Sequence, residues 1–231
     1  MQIVVMAGGY GTRMLPYTEK VPKSMLLVNE IPFVNYQLAL FKKYGITKVV
    51  FCLGHLGEKL KTHIGNGERW GLDISYSWER ENLLGTGGAL KNAYKLLDDV
   101  FLFTWGDSYV QTDYSSFLKL HCKSSLPVSI GVYKNDNRWD KSNVNFKNNK
   151  IVVYGKNLKS DEIQYIDVGL SAFYLDYLDL IPDGVVSLDT LWKELSNEDK
   201  LGGIEIYERF YEIGSKNGYE EFEKLSLSIK L

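Results

Sequence analysis

The sequence predicts an α/β fold, a Rossmann-like mixed and mostly parallel sheet with helices on both faces. Three observations predict it. Ile3 to Ala7, Val49 to Leu53 and Val100 to Thr104 are short, nearly unbroken apolar runs, the pattern of strands covered on both sides. Segments of helical periodicity stand between such runs, and parallel neighbours need crossovers of that kind. The first run also breaks straight into Gly8, Gly9 and Gly11, where backbone can take positive φ and approach a ligand closely.

Taken in order, Ser24 to Val28 continues the chain beyond that glycine loop. Pro32 to Tyr44 places apolar residues at Phe33, Val34, Tyr36, Leu38, Leu40 and Phe41, a helix opened near Pro32 and stopped by Gly45. Thr47 to Leu53 is the second strand, Leu56 to Ile64 a short helix, Gly65-Asn66-Gly67 a turn, and Leu72 to Trp78 an alternating strand. Leu83 to Leu90 is a second glycine-rich stretch, running into a helix that ends near Leu97. After the strand at Val100, Tyr114 to Ser124 reads as a helix, Val128 to Tyr133 as a strand, and Lys134 to Asn143 as a polar connection. Val144 to Phe146 and Ile151 to Tyr154 form a hairpin about Asn148-Asn149. Tyr165 to Phe173 is a further strand and Leu188 to Leu195 a helix. Gly202-Gly203 reads as a break before a strand at Ile204 to Ile206, and Gly218 to Leu225 as the closing helix.

A chain of 231 residues can bury a substantial core, and a single domain over residues 1–231 is expected. The 45% apolar and 24% charged fractions are those of an ordinary globular protein, and a net charge of −2 supplies no basic field for nucleic acid or an anionic membrane. Cys52 and Cys122 lie in or beside apolar runs without metal-ligand spacing, so both read as buried, reduced thiols. No leader-like segment opens the chain and no run approaches the ~20 apolar residues of a membrane span, which points to the cytoplasm. A homodimer is left open.

The glycine loop exposes backbone N–H groups to an anion, and Thr12 and Arg13 add a hydroxyl and a guanidinium fork suited to phosphate oxygens. Neither the P-loop nor the dinucleotide fingerprint fits its spacing. What fits is Gly8-Gly9-x-Gly11-Thr12-Arg13-x-x-Pro16-x-Thr18-x-x-x-Pro22-Lys23, which resembles the signature of the sugar-1-phosphate nucleotidyltransferases in their short form, without a C-terminal β-helix. Leu84-Gly85-Thr86-Gly87-Gly88-Ala89 is similar to the family's second signature, whose loop lies against base and ribose, and the resemblance extends over almost the whole chain.

The resemblance implies the GT-A-like form of the fold and a set of site residues. Ala7, Gly8, Gly9, Gly11 and Thr12 would hold the nucleotide with Glu79, Gly85, Thr86 and Gly87, while Arg13 and Lys23 would be catalytic. Asp107, at the carboxyl end of a central strand, corresponds to the family's Gly-Asp metal ligand; ligands in open α/β sheets sit beyond those ends. Glu212 stands where the family has its second metal aspartate. On the acceptor side, Asp167 and Gly169 match the acceptor-binding strand, and Lys156 falls at the family's second lysine, although Gly155 and Asn157 replace the Glu and Pro beside it. Arg138-Trp139-Asp140-Lys141-Ser142-Asn143 replaces the family's Tyr-Gly pair, so Asp140, Lys141 and Asn143 are candidate acceptor contacts.

These residues imply Mg²⁺-dependent transfer of NMP from a nucleoside triphosphate to a phosphorylated small molecule, a sugar 1-phosphate first, with loss of pyrophosphate. The alternative is a cytidylyltransferase for a phospho-amino-acid or choline phosphate, and both would serve surface or capsular polysaccharide. A phosphate oxygen is anionic at neutral pH, so no Ser-His-Asp or Cys-His set is needed. A silent nucleotide-binding regulator need not keep Lys23 and Asp107, and both are present. The base stays open: Glu79 and Glu81 could accept from guanine, and backbone carbonyls could equally read the cytosine amine.

Overall fold

A computed structural model describes residues 1–79, 83–135, 137–155 and 161–231. Nine strands form one sheet in the order β5-β4-β1-β6-β11-β8-β12-β10-β9. Its centre is β1 (Gln2–Met6), flanked in parallel by β4 (Lys48–Leu53) and β6 (Val100–Trp105), with β5 (Asp73–Trp78) outside β4. Next to β6 comes β11 (Tyr165–Tyr174), antiparallel to both β6 and β8 (Val128–Lys134), and β12 (Leu201–Glu205) runs parallel to β8. The hairpin of β9 (Val144–Lys147) and β10 (Lys150–Tyr154) closes the far edge. Only β10 and β11 run against the rest, so the sheet is mixed and mostly parallel.

Alternation along the central strands divides the interior in two. Ile3 and Val5, with Val49, Phe51 and Leu102, face one core, which is closed by α1 (Phe33–Lys43), α2 (Gly57–Ile64), α4 (Tyr114–Ser124) and α6 (Lys216–Ser226). Val4, Val50, Phe101 and Phe103 face the other, under α3 (Gly85–Asn92) and α5 (Leu188–Asn197). Burial on both faces is why those strands read as unbroken apolar runs. Each face removes several large side chains from water, at roughly 1.5–3 kcal/mol apiece.

Three local expectations change. Gly202-Gly203 lies inside β12, because added Cβ atoms would stand 2.5 Å from Ser129 Oγ and 2.6 Å from the Phe146 ring; the glycines serve close packing in a strand. The helix after the second glycine stretch stops at Asn92, and a 3₁₀ turn covers Tyr94–Leu96. Cys52 is buried but Cys122 is exposed, since the neighbouring His121 takes the inward position on α4. The hairpin turn matches its reading, with Asn148 and Asn149 at φ 53° and 60°, as a two-residue turn of twisted strands requires. Short strands β2 (Leu27–Val28) and β3 (Ile31–Pro32) make a separate ribbon.

His121 is fully buried, with Nδ1 2.9 Å from Ser129 Oγ and no partner for Nε2 among the described residues. Burial pulls its pKa from 6.5 down to about 4. The unfolded chain therefore binds this proton first, and stability is lost as pH falls between those values, by up to about 3 kcal/mol. Urea unfolding at pH 7 and pH 4.5 should show a smaller pH-dependent loss for His121→Asn than for wild type; equal losses would exclude this histidine as a cause.

Candidate active site

A cleft of about 1100 Å³ opens at the carboxyl ends of β1 and β6. One side of it begins with the loop after β1. Gly11 sits at φ 65°, and the chain turns through Thr12–Met14 with Met14 N–H donating to Gly11 C=O. Met14 is buried and anchors the turn, which leaves Arg13 exposed and facing the cleft. The Thr18 hydroxyl donates to Gly11 C=O at 2.8 Å, so the threonine of the motif fixes the loop. Ala7, Gly9, Gly11 and Arg13 line the cleft, whereas Gly8 and Thr12 do not. Gly8 packs instead against Gly54 and the Glu79 carboxylate, where a Cβ would stand 3.0 and 2.8 Å away.

Lys23 opens the short turn Lys23–Met25 behind Pro22, and its ammonium lies 2.8 Å from Asp107 Oδ2, with both side chains 18% exposed. Sequence-distant pairing brings Glu212 to the same place. Beyond the turn at Gly106 and Asp107, β7 (Ser108–Val110) pairs with β13 (Phe210–Glu212), setting Glu212 opposite Ser108. Ile213 N–H donates to Asp107 C=O at 2.9 Å. The strand Phe210–Glu212 lies in the approach to the closing helix, where the sequence reading has no strand. The three groups converge: a methyl placed on Gly214 would stand 2.7 Å from Asp107 Oδ2, 2.7 Å from Glu212 Oε2 and 3.3 Å from Lys23 Nζ.

Burial is the main reason that the Glu212 carboxyl is held above its ordinary pKa, and the Asp107 charge adds to it; hydrogen bonds from Ser215 and Gly214 and the charge of Arg13 oppose the rise. Two carboxylates this close favour a cation between them, and oxygen donors suit a hard divalent ion. No cluster of three or more His, Cys, Asp or Glu that could hold a metal occurs among the described residues, so this pair would leave the ion's other positions to phosphate and water.

The second glycine stretch differs from its reading. Gly87 and Gly88 N–H both donate to Val186 C=O, and Val186 N–H donates to Leu84 C=O. An added Cβ at Gly85 would stand 2.5 Å from Val186 C=O, and one at Gly88 would stand 2.5 Å from Gly184 C=O. These glycines admit another segment of the chain, so Gly85 and Gly87 lie outside the cleft, and Thr86 alone of the three lines it. Glu79 is not among the lining residues: Oε1 accepts from Leu84 N–H at 2.6 Å while Oε2 abuts Gly8, so the carboxylate joins the two glycine segments. Burial raises its pKa against that hydrogen bond.

On the other side, the candidate acceptor contacts Asp140, Lys141, Asn143, Asp167 and Gly169 all line the cleft. Gly169, at φ 79°, lies where a Cβ would meet Trp105 at 2.6 Å, and its N–H donates to Asp167 Oδ1 at 2.8 Å. Asn143 Oδ1 accepts from Asp167 N–H at 3.0 Å, and Lys141 N–H donates to Asp140 Oδ1 at 2.6 Å. Lys156 and Glu81 lie outside the described residues. Three further lining residues, Asp189, Tyr154 and Arg209, carry no local sequence signal. Asp189, in the first turn of α5, shares the Tyr154 hydroxyl with Asp167, at 3.4 and 3.2 Å. Arg209 lies with its guanidinium 3.4 Å above the Trp139 ring and 4.6 Å from Tyr211, and pairs with Glu221. Ser187 and Asp189 read as an ordinary helix start, and Ser187 Oγ does accept from Asp189 N–H, so no local signal marks the second role.

The profile of the nucleotidyl transferase family matches residues 2–151, the strand, both glycine segments, Asp107 and the first part of the acceptor wall. The chain belongs to this family. Its curated relatives include a UTP–glucose-1-phosphate uridylyltransferase of Synechocystis, 26% identical over 80% of this chain and 52% of that protein. Another is a D-glycero-alpha-D-manno-heptose 1-phosphate guanylyltransferase of Campylobacter jejuni, 32% identical over 62% of this chain and 63% of that one. The matches therefore span from about half to just under two thirds of these relatives' own length. Among solved structures, HddC from Yersinia pseudotuberculosis superposes with a TM-score of 0.83 at 19% identity, covering 97% of this chain and 98% of that one. That likeness shows the family's fold, the GT-A-like nucleotidyltransferase form, across the described sheet.

Proposed function

We propose that this chain transfers a nucleotidyl group from a nucleoside triphosphate to a sugar 1-phosphate with release of pyrophosphate. The convergence of Lys23, Asp107 and Glu212 on one point beside the glycine loop carries the reading. Joining two polyanions requires their repulsion to be offset and charge to be stabilised on the α-phosphate and the leaving group. Backbone N–H groups of the loop and Arg13 would bind the triphosphate, and Lys23 would stand where the two phosphates meet. Asp107 and Glu212 would hold Mg²⁺, which supplies Lewis-acid stabilisation of phosphate charge. The attacking oxygen belongs to the acceptor's own phosphate, so no side chain need remove a proton.

The composition of the acceptor half supports a sugar. Asp140, Asp167 and Asp189 offer oxygen acceptors for several hydroxyl donors within one cleft. The relatives' names include glucose and heptose 1-phosphates, with uridylyl and guanylyl transfer, so the base varies among them. An activated sugar of this kind is a building block for surface polysaccharide, made where triphosphates are, in the cytoplasm. Screening the four common triphosphates against sugar 1-phosphates and non-sugar phosphates, with pyrophosphate release as the signal, tests the reading. Turnover only with choline phosphate or a phospho-amino-acid would replace it by the cytidylyltransferase alternative.

Lys141 separates neutral from charged acceptors. With a neutral sugar 1-phosphate, Lys141→Ala should change acceptor KM by less than about threefold. A selective rise of about tenfold or more, ~1.4 kcal/mol of uniform binding, would identify an acceptor that carries its own carboxylate.

A further inference from the structure

A line of hydrogen bonds joins the nucleotide half of the cleft to its acceptor wall. The Thr86 hydroxyl accepts from Leu188 N–H at 2.9 Å, and Leu188 is the first residue of α5. The next residue, Asp189, shares the one hydrogen of the Tyr154 hydroxyl with Asp167, which accepts through Oδ2 at 3.2 Å while Asp189 Oδ1 lies at 3.4 Å. Asp167 Oδ1 then receives Gly169 N–H at 2.8 Å. Thr86, Tyr154, Asp167, Gly169 and Asp189 all line the cleft. The segment leading into α5 is clamped to the second glycine stretch by three backbone hydrogen bonds, with no room for a Cβ at Gly85 or Gly88.

A threonine hydroxyl is both donor and acceptor. Its lone pair here serves α5, and its hydrogen is directed by rotation toward whatever acceptor the cleft presents. A hydroxyl that donates becomes a better acceptor, so the bond to Leu188 N–H strengthens when the hydrogen is used. We propose that Thr86 is a positioning residue that donates to an oxygen of the bound nucleotide while holding the start of α5, and so orders Asp189, Tyr154 and Asp167 for the acceptor. The inference rests on the nucleotide seat proposed above. An acceptor arriving second meets a wall already ordered, and nucleotide and acceptor then bind with positive coupling.

The test is amide exchange of the full chain, followed residue by residue by NMR, free and with saturating Mg·CTP, Mg·GTP, Mg·UTP or Mg·dTTP. Bound nucleotide should slow exchange at Leu188, Asp189 and Gly169 by about tenfold. Thr86→Val should lose all three effects at equal saturation, and Thr86→Ser should keep them. Tyr154→Phe cuts the line further along, so it should keep the effects at Leu188 and Asp189 and lose that at Gly169; it decides the matter even if Thr86→Val does not fold. Nucleotide binding that leaves Leu188 unchanged, or a Tyr154→Phe protein that behaves as wild type, overturns the relay while leaving the nucleotide seat standing. Failure of all four nucleotides to bind removes the seat itself and the relay with it.

Discussion

Lys23→Ala should lower turnover by roughly 10²- to 10³-fold, about 2.7–4 kcal/mol of transition-state stabilisation, while the far-UV spectrum and melting temperature stay near wild type. The ammonium sits 2.8 Å from Asp107, where it offsets carboxylate charge. In the proposed reaction it would face both phosphates. Losing it should therefore cost more in kcat than in triphosphate KM, the mark of an interaction made chiefly in the transition state. Lys23→Arg should recover only part of the rate, because the broader guanidinium does not reproduce a compact point charge beside Gly214. Steady-state kinetics of both variants checks this. A change in Lys23→Ala of less than about threefold would remove the lysine from the reacting centre.

Asp107→Asn should be as severe by a different route. The substitution keeps the shape of the side chain and removes a formal charge, leaving the half-buried Glu212 carboxylate as the remaining anion at the convergence point. Mg²⁺ binding should weaken, and raising Mg²⁺ should restore little of the rate. Treating the wild-type protein with EDTA should abolish turnover, and added Mg²⁺ should return it. Wild-type rates in the presence of EDTA would contradict any role for a divalent ion.

How far the sequence reached follows from the range of the forces involved. The strands of the central sheet were legible because burial on both faces writes itself as contiguous apolar runs, and the Asn148-Asn149 turn because positive φ selects its residues. Arg13, Lys23 and Asp107 lie in short motifs whose spacing survives in the chain. The pairing of β7 with β13 was not legible: each strand has three residues, too few for any period, and they meet across about a hundred positions of sequence. That pairing is what places Glu212 beside Asp107. The second glycine stretch carried a real signal with a different meaning, since its glycines make room for Val186 and Gly184. Trp139 stood in a segment read as a polar connection, and nothing local to it revealed the Arg209 guanidinium stacked on its ring.

The reaction proposed is attack on the α-phosphorus by an acceptor phosphate at the Lys23–Asp107–Glu212 centre. The most direct measurement is ³¹P NMR of the full reaction, with each triphosphate and the panel of phosphorylated acceptors in Mg²⁺, followed for wild type and for Asp107→Asn. The account predicts pyrophosphate together with a new diphosphodiester carrying both the nucleoside and the acceptor, appearing in step and absent from the variant. Nucleoside diphosphate or orthophosphate as the product, or a diphosphodiester formed equally well by Asp107→Asn, would contradict it.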